Sequence, residues 1–160
     1  MKHLTKLAIA AALALSGAAH AEDARTGVYP AGNVPIAPYT PGIKTANGFL
    51  YVSGQIAYVG GEIPAHARDG ESDIQDQTKI VMDNLKVVLA EAGYDFNDAV
   101  RATVFMTDIA NYGAFNEVYG TYWDDDDMPP ARAAVEVGAL PGGKPGAPVL
   151  VEVALIAYKN

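Results

Sequence analysis

Residues 72–93, SDIQDQTKIVMDNLKVVLAEAG, followed at residues 99–107 by AVRATVFMT, set one long helix against one strand. Ile74, Val81, Leu85, Val88 and Ala92 recur at gaps of 7, 4, 3 and 4, which traces a single apolar face at helical period. Ser72 is the expected N-cap, with Gln75 three positions on to complete a capping box, and Gly93 is the expected stop. In the second segment Val100, Ala102, Val104 and Met106 alternate with Arg101, Thr103, Phe105 and Thr107, the period of a strand.

Working outward, Phe49–Ser53 (FLYVS) is aromatic and β-branched and predicts a strand closed by Gly54. Residues 22–48 carry Pro30, Pro35, Pro38, Pro41 and Gly42 and read as an extended arm. Asn111 is expected to cap a second helix running to about Trp123, with Tyr112, Phe115, Tyr119 and Tyr122 as a core-facing aromatic stripe. Ala131–Val137 and Val149–Tyr158 predict two further strands joined by a Gly/Pro-rich hairpin connection. The order β, helix, β, helix, β, β suits an α+β layered fold with both helices on one sheet face. The other face also needs cover, so self-association through it is expected.

Composition narrows the chemistry. The 160-residue chain holds no cysteine, which removes disulfides, thiolate metal sites and cysteine nucleophiles. Residues 1–21 read as a secretory leader: Lys2 and Lys6, an apolar run from Leu7 to Leu15, then Ala19-His20-Ala21 as a cleavage site. The apolar run is too short to span a bilayer. The expected mature product is one domain over residues 22–160, soluble and exported, periplasmic in a Gram-negative host. It keeps His66 as its single histidine, so a multi-histidine metal site is excluded. Formal charge is −8 for the full chain and −10 once two leader lysines are lost, with the basic residues scattered singly. Binding to nucleic acid is disfavoured on that balance.

Four segments bear on a site. Gly138–Lys144 (GALPGGK) matches the start of a phosphate-binding loop, but Pro145 replaces the required hydroxyl and a strand follows, so the match is rejected. Asp124–Asp127 lacks the alternation and glycine of a calcium loop and reads as a solvated turn. Glu152 sits on a terminal strand that is apolar on both faces, where a carboxylate is either ion-paired or exposed at an edge, or serves as a general base holding water. Arg132 follows the rigid Pro129-Pro130 turn; it could pair with Glu136 or Glu152, or grip a carboxylate ligand with its planar fork.

Taken in order, several segments resemble the RidA (YjgF) family of reactive-intermediate deaminases. They are Pro38-Tyr39 within PIAPYTPG, Ser53-Gly54-Gln55-Ile56, Asn84-Leu85-Lys86 and Thr103-Val104-Phe105. Phe115-Asn116-Glu117-Val118-Tyr119, Pro130-Ala131-Arg132 with Val135-Glu136-Val137, and Val151-Glu152-Val153 follow. The resemblance implies a chorismate-mutase-like fold, a mixed sheet with two helices on one face, assembled as a homotrimer with sites in the clefts between subunits. It implies hydrolysis of 2-iminopropanoate and 2-iminobutanoate to 2-oxo acids and ammonia, with no metal or organic cofactor. By the same resemblance Arg132 clamps the substrate carboxylate and Glu152 positions the attacking water. Tyr39, Ser53, Gly54 and Asn116 shape the pocket, and Ala134, where many members carry cysteine, serves through its backbone. A non-catalytic exported module that binds small molecules or acts as a chaperone, with the same trimer and pocket, is the competing expectation; a ribonuclease is disfavoured by charge.

Overall fold

The computed structural model describes residues 24–160 apart from 32–34 and 36; the expected leader lies outside the described residues. In chain order the elements are β1 (Arg25–Val28), β2 (Gly42–Thr45), β3 (Phe49–Gln55), α1 (Asp73–Ala92), β4 (Ala99–Met106), α2 (Tyr112–Tyr119), β5 (Ala131–Glu136) and β6 (Val151–Tyr158). They form one six-stranded sheet in the order β1-β2-β3-β6-β4-β5. Every neighbouring pair is antiparallel except β4–β5, which is parallel because α2 crosses between them. This is the expected α+β layer with a mixed sheet and both helices packed on it.

The α1 stripe behaves as its period requires. Ile74, Val81, Leu85 and Val88 are buried together with Met82 and Leu89, against Leu50, Val52, Ala102, Val104, Val151, Val153 and Leu155 of the sheet. Full burial of each larger side chain is worth ~1.5–3 kcal/mol. Gly93 ends the helix at φ 81°, its N–H returned to the last turn.

Four local expectations are corrected. The arm of residues 22–48 contributes β1 and β2 to the sheet, since its prolines fall between the strands rather than within them. Ser72 makes no capping bond: Asp73 Oδ1 accepts the N–H groups of Asp69 and Gly70, and Ser72 takes φ 57°. The second helix is entered through a 3-10 turn at Ile109–Asn111 capped by Asp108, not Asn111, and α2 proper ends at Tyr119 before another 3-10 turn. Finally, β5 and β6 do not form a hairpin. β6 lies between β3 and β4, while β5 pairs with β4 alone and forms the sheet edge.

The sheet face away from the helices stays partly open. Tyr51, Val135 and Tyr158 are exposed there, beside the half-buried Phe105 and Ile156.

Candidate functional site

Strand register decides which side of the sheet each candidate occupies. Arg132 lies opposite Ala102, which lies opposite Leu155; both neighbours are buried against the helices. Glu152 lies opposite Phe105, which lies opposite Val135, the row facing the other way. Within one chain the two groups are therefore on opposite faces, with β4 between their strands.

Glu152 lines a cavity of about 290 Å³ with Tyr39, Ser53 and Gly54, so four of the sequence-predicted residues meet there. Ala37, Ile56, Pro141 and Gly142 complete the wall. A register shift between Val52 and Gln55 bulges β3 at Ser53-Gly54 and turns it toward Glu152. Gly54 leaves the space the Glu152 carboxyl occupies: a Cβ there would lie 2.7 Å from the carboxyl carbon and displace it. Ser53 Oγ donates to the Thr40 carbonyl at 2.7 Å, fixing the segment that carries Tyr39. The Glu152 carboxylate has no hydrogen-bond or ion-pair partner among the described residues, and burial raises its pKa above the ordinary glutamate value.

Helix α1 bonds one cavity-wall residue, Ile56, and neighbouring backbone with two amides two turns apart. Asn84 Nδ2 donates to the carbonyls of Ile56 and Tyr58, each at 3.0 Å. Fully buried Gln77 donates to Ala67 and Pro148 at 3.0 and 2.9 Å and accepts the Leu150 N–H at 2.9 Å.

On the helix side, Arg132 sits in an aromatic basket with its guanidinium carbon 5.4, 5.5 and 4.5 Å from the ring centres of Tyr112, Phe115 and Tyr119. Its Nη2 donates to Tyr112 Oη and Asn116 Oδ1, both at 2.8 Å. Neither Glu136 nor Glu152 pairs with it; Glu136 instead accepts the Ile109 N–H at 2.9 Å. Nη1 and Nε carry no hydrogen bond among the described residues, so their N–H groups remain for an anion. Asn116 and Arg132 lower the Tyr112 pKa, whereas burial pushes Tyr119 up to about 12 and leaves its hydroxyl without a partner. Ala134 lies two residues along β5 on the same side, against the main core and not in the Glu152 cavity.

Tyr112 and Tyr119 are site residues that sequence reasoning placed in the core. Their signal was present, since Tyr112, Asn116 and Tyr119 share one helix face, but nothing local tells such a face that an arginine will arrive from β5. The Asp124–Asp127 segment forms an exposed turn closed by Asp127 accepting the Asp124 N–H. Gly138–Lys144 is loop, and its Gly142 belongs to the cavity wall.

A family model described as Endoribonuclease L-PSP matches residues 30–159. A RutC family protein of Pyrococcus horikoshii is 41% identical over 129 residues, covering 79% of this chain and 90% of its own length. TdcF of Escherichia coli, named as a reactive intermediate deaminase, is 30% identical over 128 residues, covering 78% of this chain and 89% of TdcF. A solved TdcF structure with bound serine has a TM-score of 0.67 at 32% identity, covering 79% of this chain and 91% of that one. The Rid-family protein YyfA of Yersinia pestis has a TM-score of 0.72 at 35% identity, covering 85% of this chain and 100% of that one. Sheet order, residue order and these likenesses agree, and the chain belongs to the YjgF/RidA (endoribonuclease L-PSP) family.

Proposed function

We propose that this protein hydrolyses 2-imino acids of the 2-iminopropanoate and 2-iminobutanoate type to 2-oxo acids and ammonia, in sites shared between subunits of a homotrimer. The observation that carries the reading is the division of the machinery. An arginine with unused donors and, among the described residues, no carboxylate partner lies on one sheet face, and a half-buried carboxylate in a small cavity lies on the other. Two strand spacings, roughly 10 Å, and the sheet itself separate them in one chain. A substrate of six or so heavy atoms cannot bridge that, but a neighbour's cavity brought to the β5 edge can complete the site. The open apolar face with Tyr51, Val135 and Tyr158 supplies surface for such association.

In that arrangement the unused Nη1 and Nε donors of Arg132 hold the substrate carboxylate, while Asn116 and Tyr112 keep the guanidinium in place. Glu152 of the adjoining subunit directs a water at the imine carbon and accepts its proton as the C–O bond forms. The same carboxyl returns that proton to nitrogen, then takes the hydroxyl proton as the carbonyl forms and passes it to the departing nitrogen, so the C–N bond breaks and ammonia leaves. The imine is already electrophilic, so orientation and one proton carrier suffice and no cofactor enters. The serine bound to TdcF supports the reading, since it offers the same α-carboxylate and α-nitrogen frame. A ribonuclease is opposed by the net charge of −8. The leader at residues 1–21 would deliver the protein out of the cytoplasm, which fractionation of expressing cells checks.

The test mixes two inactive variants, Arg132→Ala and Glu152→Gln, after unfolding and co-refolding. Shared sites in a cyclic trimer predict recovery of about a quarter of wild-type hydrolysis of 2-iminobutanoate at equal mixing. Each variant alone stays inactive. No recovery from the mixture refutes the shared site, and no acceleration by wild type refutes the enzyme in favour of the binding module.

A further inference from the structure

We propose that Tyr58 is a positioning residue that fixes the depth of the Glu152 cavity and restricts the site to imino acids with short side chains. The inference rests on the function proposed above and adds to it the size of substrate accepted. Tyr58 lies outside the cavity, yet its hydroxyl donates to the carbonyl of Gly142, 84 residues away, at 2.6 Å. Gly142 and Pro141 form one cavity wall. Among the described residues this is the single side-chain hydrogen bond that reaches residues 138–147.

The two partners differ in rigidity. The Tyr58 backbone is held at both ends, its carbonyl accepting from Asn84 at 3.0 Å and its N–H donating to Ile56 at 2.8 Å. Its side chain packs with Ile56 and Leu140 on a small second core of Ile63, Ala67 and Val149. Gly142 sits at φ +87° in a glycine-rich loop between β5 and β6, a conformation that glycine alone adopts without strain. A Cβ at Gly142 would stand 2.7 Å from the Tyr58 hydroxyl and 2.9 Å from Ile56 Cδ1, so the wall is pressed directly onto its support. A rigid tyrosine thus pins a pliable wall. The half-open cavity of about 290 Å³ sits at the lower limit of ordinary small-ligand pockets, room for an α-imino acid frame and few further carbons.

The experiment compares wild type with Tyr58→Phe, which keeps the ring and its packing and removes the hydroxyl. Loss of the bond predicts about fivefold faster amide exchange across residues 140–147. Steady-state hydrolysis of the imines of alanine and leucine supplies the selectivity readout. KM for the short substrate rises about fivefold and KM for the branched one falls, with kcat moving less than twofold for either. Gly142→Ala, which breaks the same contact from the other side, shifts selectivity in the same direction. Unchanged loop exchange in Tyr58→Phe overturns the latch; faster exchange with unchanged selectivity overturns the role in specificity.

Should wild type hydrolyse no imine, the proposed function fails on its own account. The latch is then read by calorimetry with 2-oxobutanoate and 4-methyl-2-oxopentanoate. Preference of wild type for the shorter acid, lost in Tyr58→Phe, upholds it; equal or absent binding of the two acids by wild type overturns it.

Discussion

Replacing Arg132 by lysine keeps the charge and removes the fork, and the structure fixes what that should cost. The two internal bonds of Arg132 both leave from Nη2, so three N–H donors, two on Nη1 and one on Nε, remain for a carboxylate. A lysine ammonium has three donors in all, so one that still reaches Tyr112 and Asn116 keeps a single donor for the substrate where arginine keeps three. A hydrogen bond to a charged group contributes ~1.5–3 kcal/mol, which corresponds to a loss of about 10- to 150-fold in kcat/KM. Stability should move far less, because the ammonium still lies over the rings of Tyr112, Phe115 and Tyr119, contacts worth ~0.5–1 kcal/mol each. The assay generates 2-iminobutanoate with a threonine dehydratase, follows its disappearance, and is paired with thermal melts. Activity of Arg132→Lys within threefold of wild type at an unchanged Tm would refute the guanidinium clamp.

Three further outcomes follow from the same geometry. Burial raises the Glu152 pKa, so the acid limb of the kcat/KM profile should lie above the ordinary carboxylate range, and Glu152→Gln should abolish both limb and activity. For stability the sign is fixed: the folded state holds this proton more tightly, so the contribution is present below the ordinary glutamate pKa and lost as pH rises through the shifted value. Melts of Glu152→Gln against wild type should therefore show a higher Tm for the variant at pH 7 and a smaller gap at acid pH. Gly54→Ala puts a methyl where the Glu152 carboxyl lies and should reduce kcat/KM at least ~10-fold with a displaced carboxylate visible by crystallography. Gln77→Ala leaves two carbonyls and one N–H without their buried partner and should destabilise the fold by ~2–5 kcal/mol in urea titrations.

What the sequence disclosed was governed by period. The buried face of α1 and the buried row Val149, Val151, Val153, Leu155, Ala157 were readable because each repeats over several residues. β1 and β2 were hidden because each is four residues long, too short for a period to emerge beside Pro30, Pro38 and Pro41. The place of β6 between β3 and β4 is a long-range pairing that no local pattern encodes, which is why a hairpin was the natural expectation. Ser72 failed as a cap because Asp73 folds the preceding turn onto itself through Asp69 and Gly70 and Ser72 takes φ 57°, away from the extended backbone a capping residue adopts. At the site, the grouping of Tyr39, Ser53 and Gly54 with Glu152 came from family likeness, and the bulge that assembles them is not legible as spacing. The assignment of Arg132 and Glu152 to opposite faces required the register of three strands at once.

Asn84 ties the cavity wall at Ile56 to the longest helix, and Gln77 ties the nearby backbone of Ala67 and Pro148 to the same helix. The binding space is in effect an extension of that helix's own architecture, not a detachable appendage on it. Heating should then yield no species that has kept its helical dichroism while losing its receptor shape; inactivation and melting should trace one curve. A lineage adapting this scaffold to larger guests would find change cheapest in the loop bearing Gly142 and most costly beneath it.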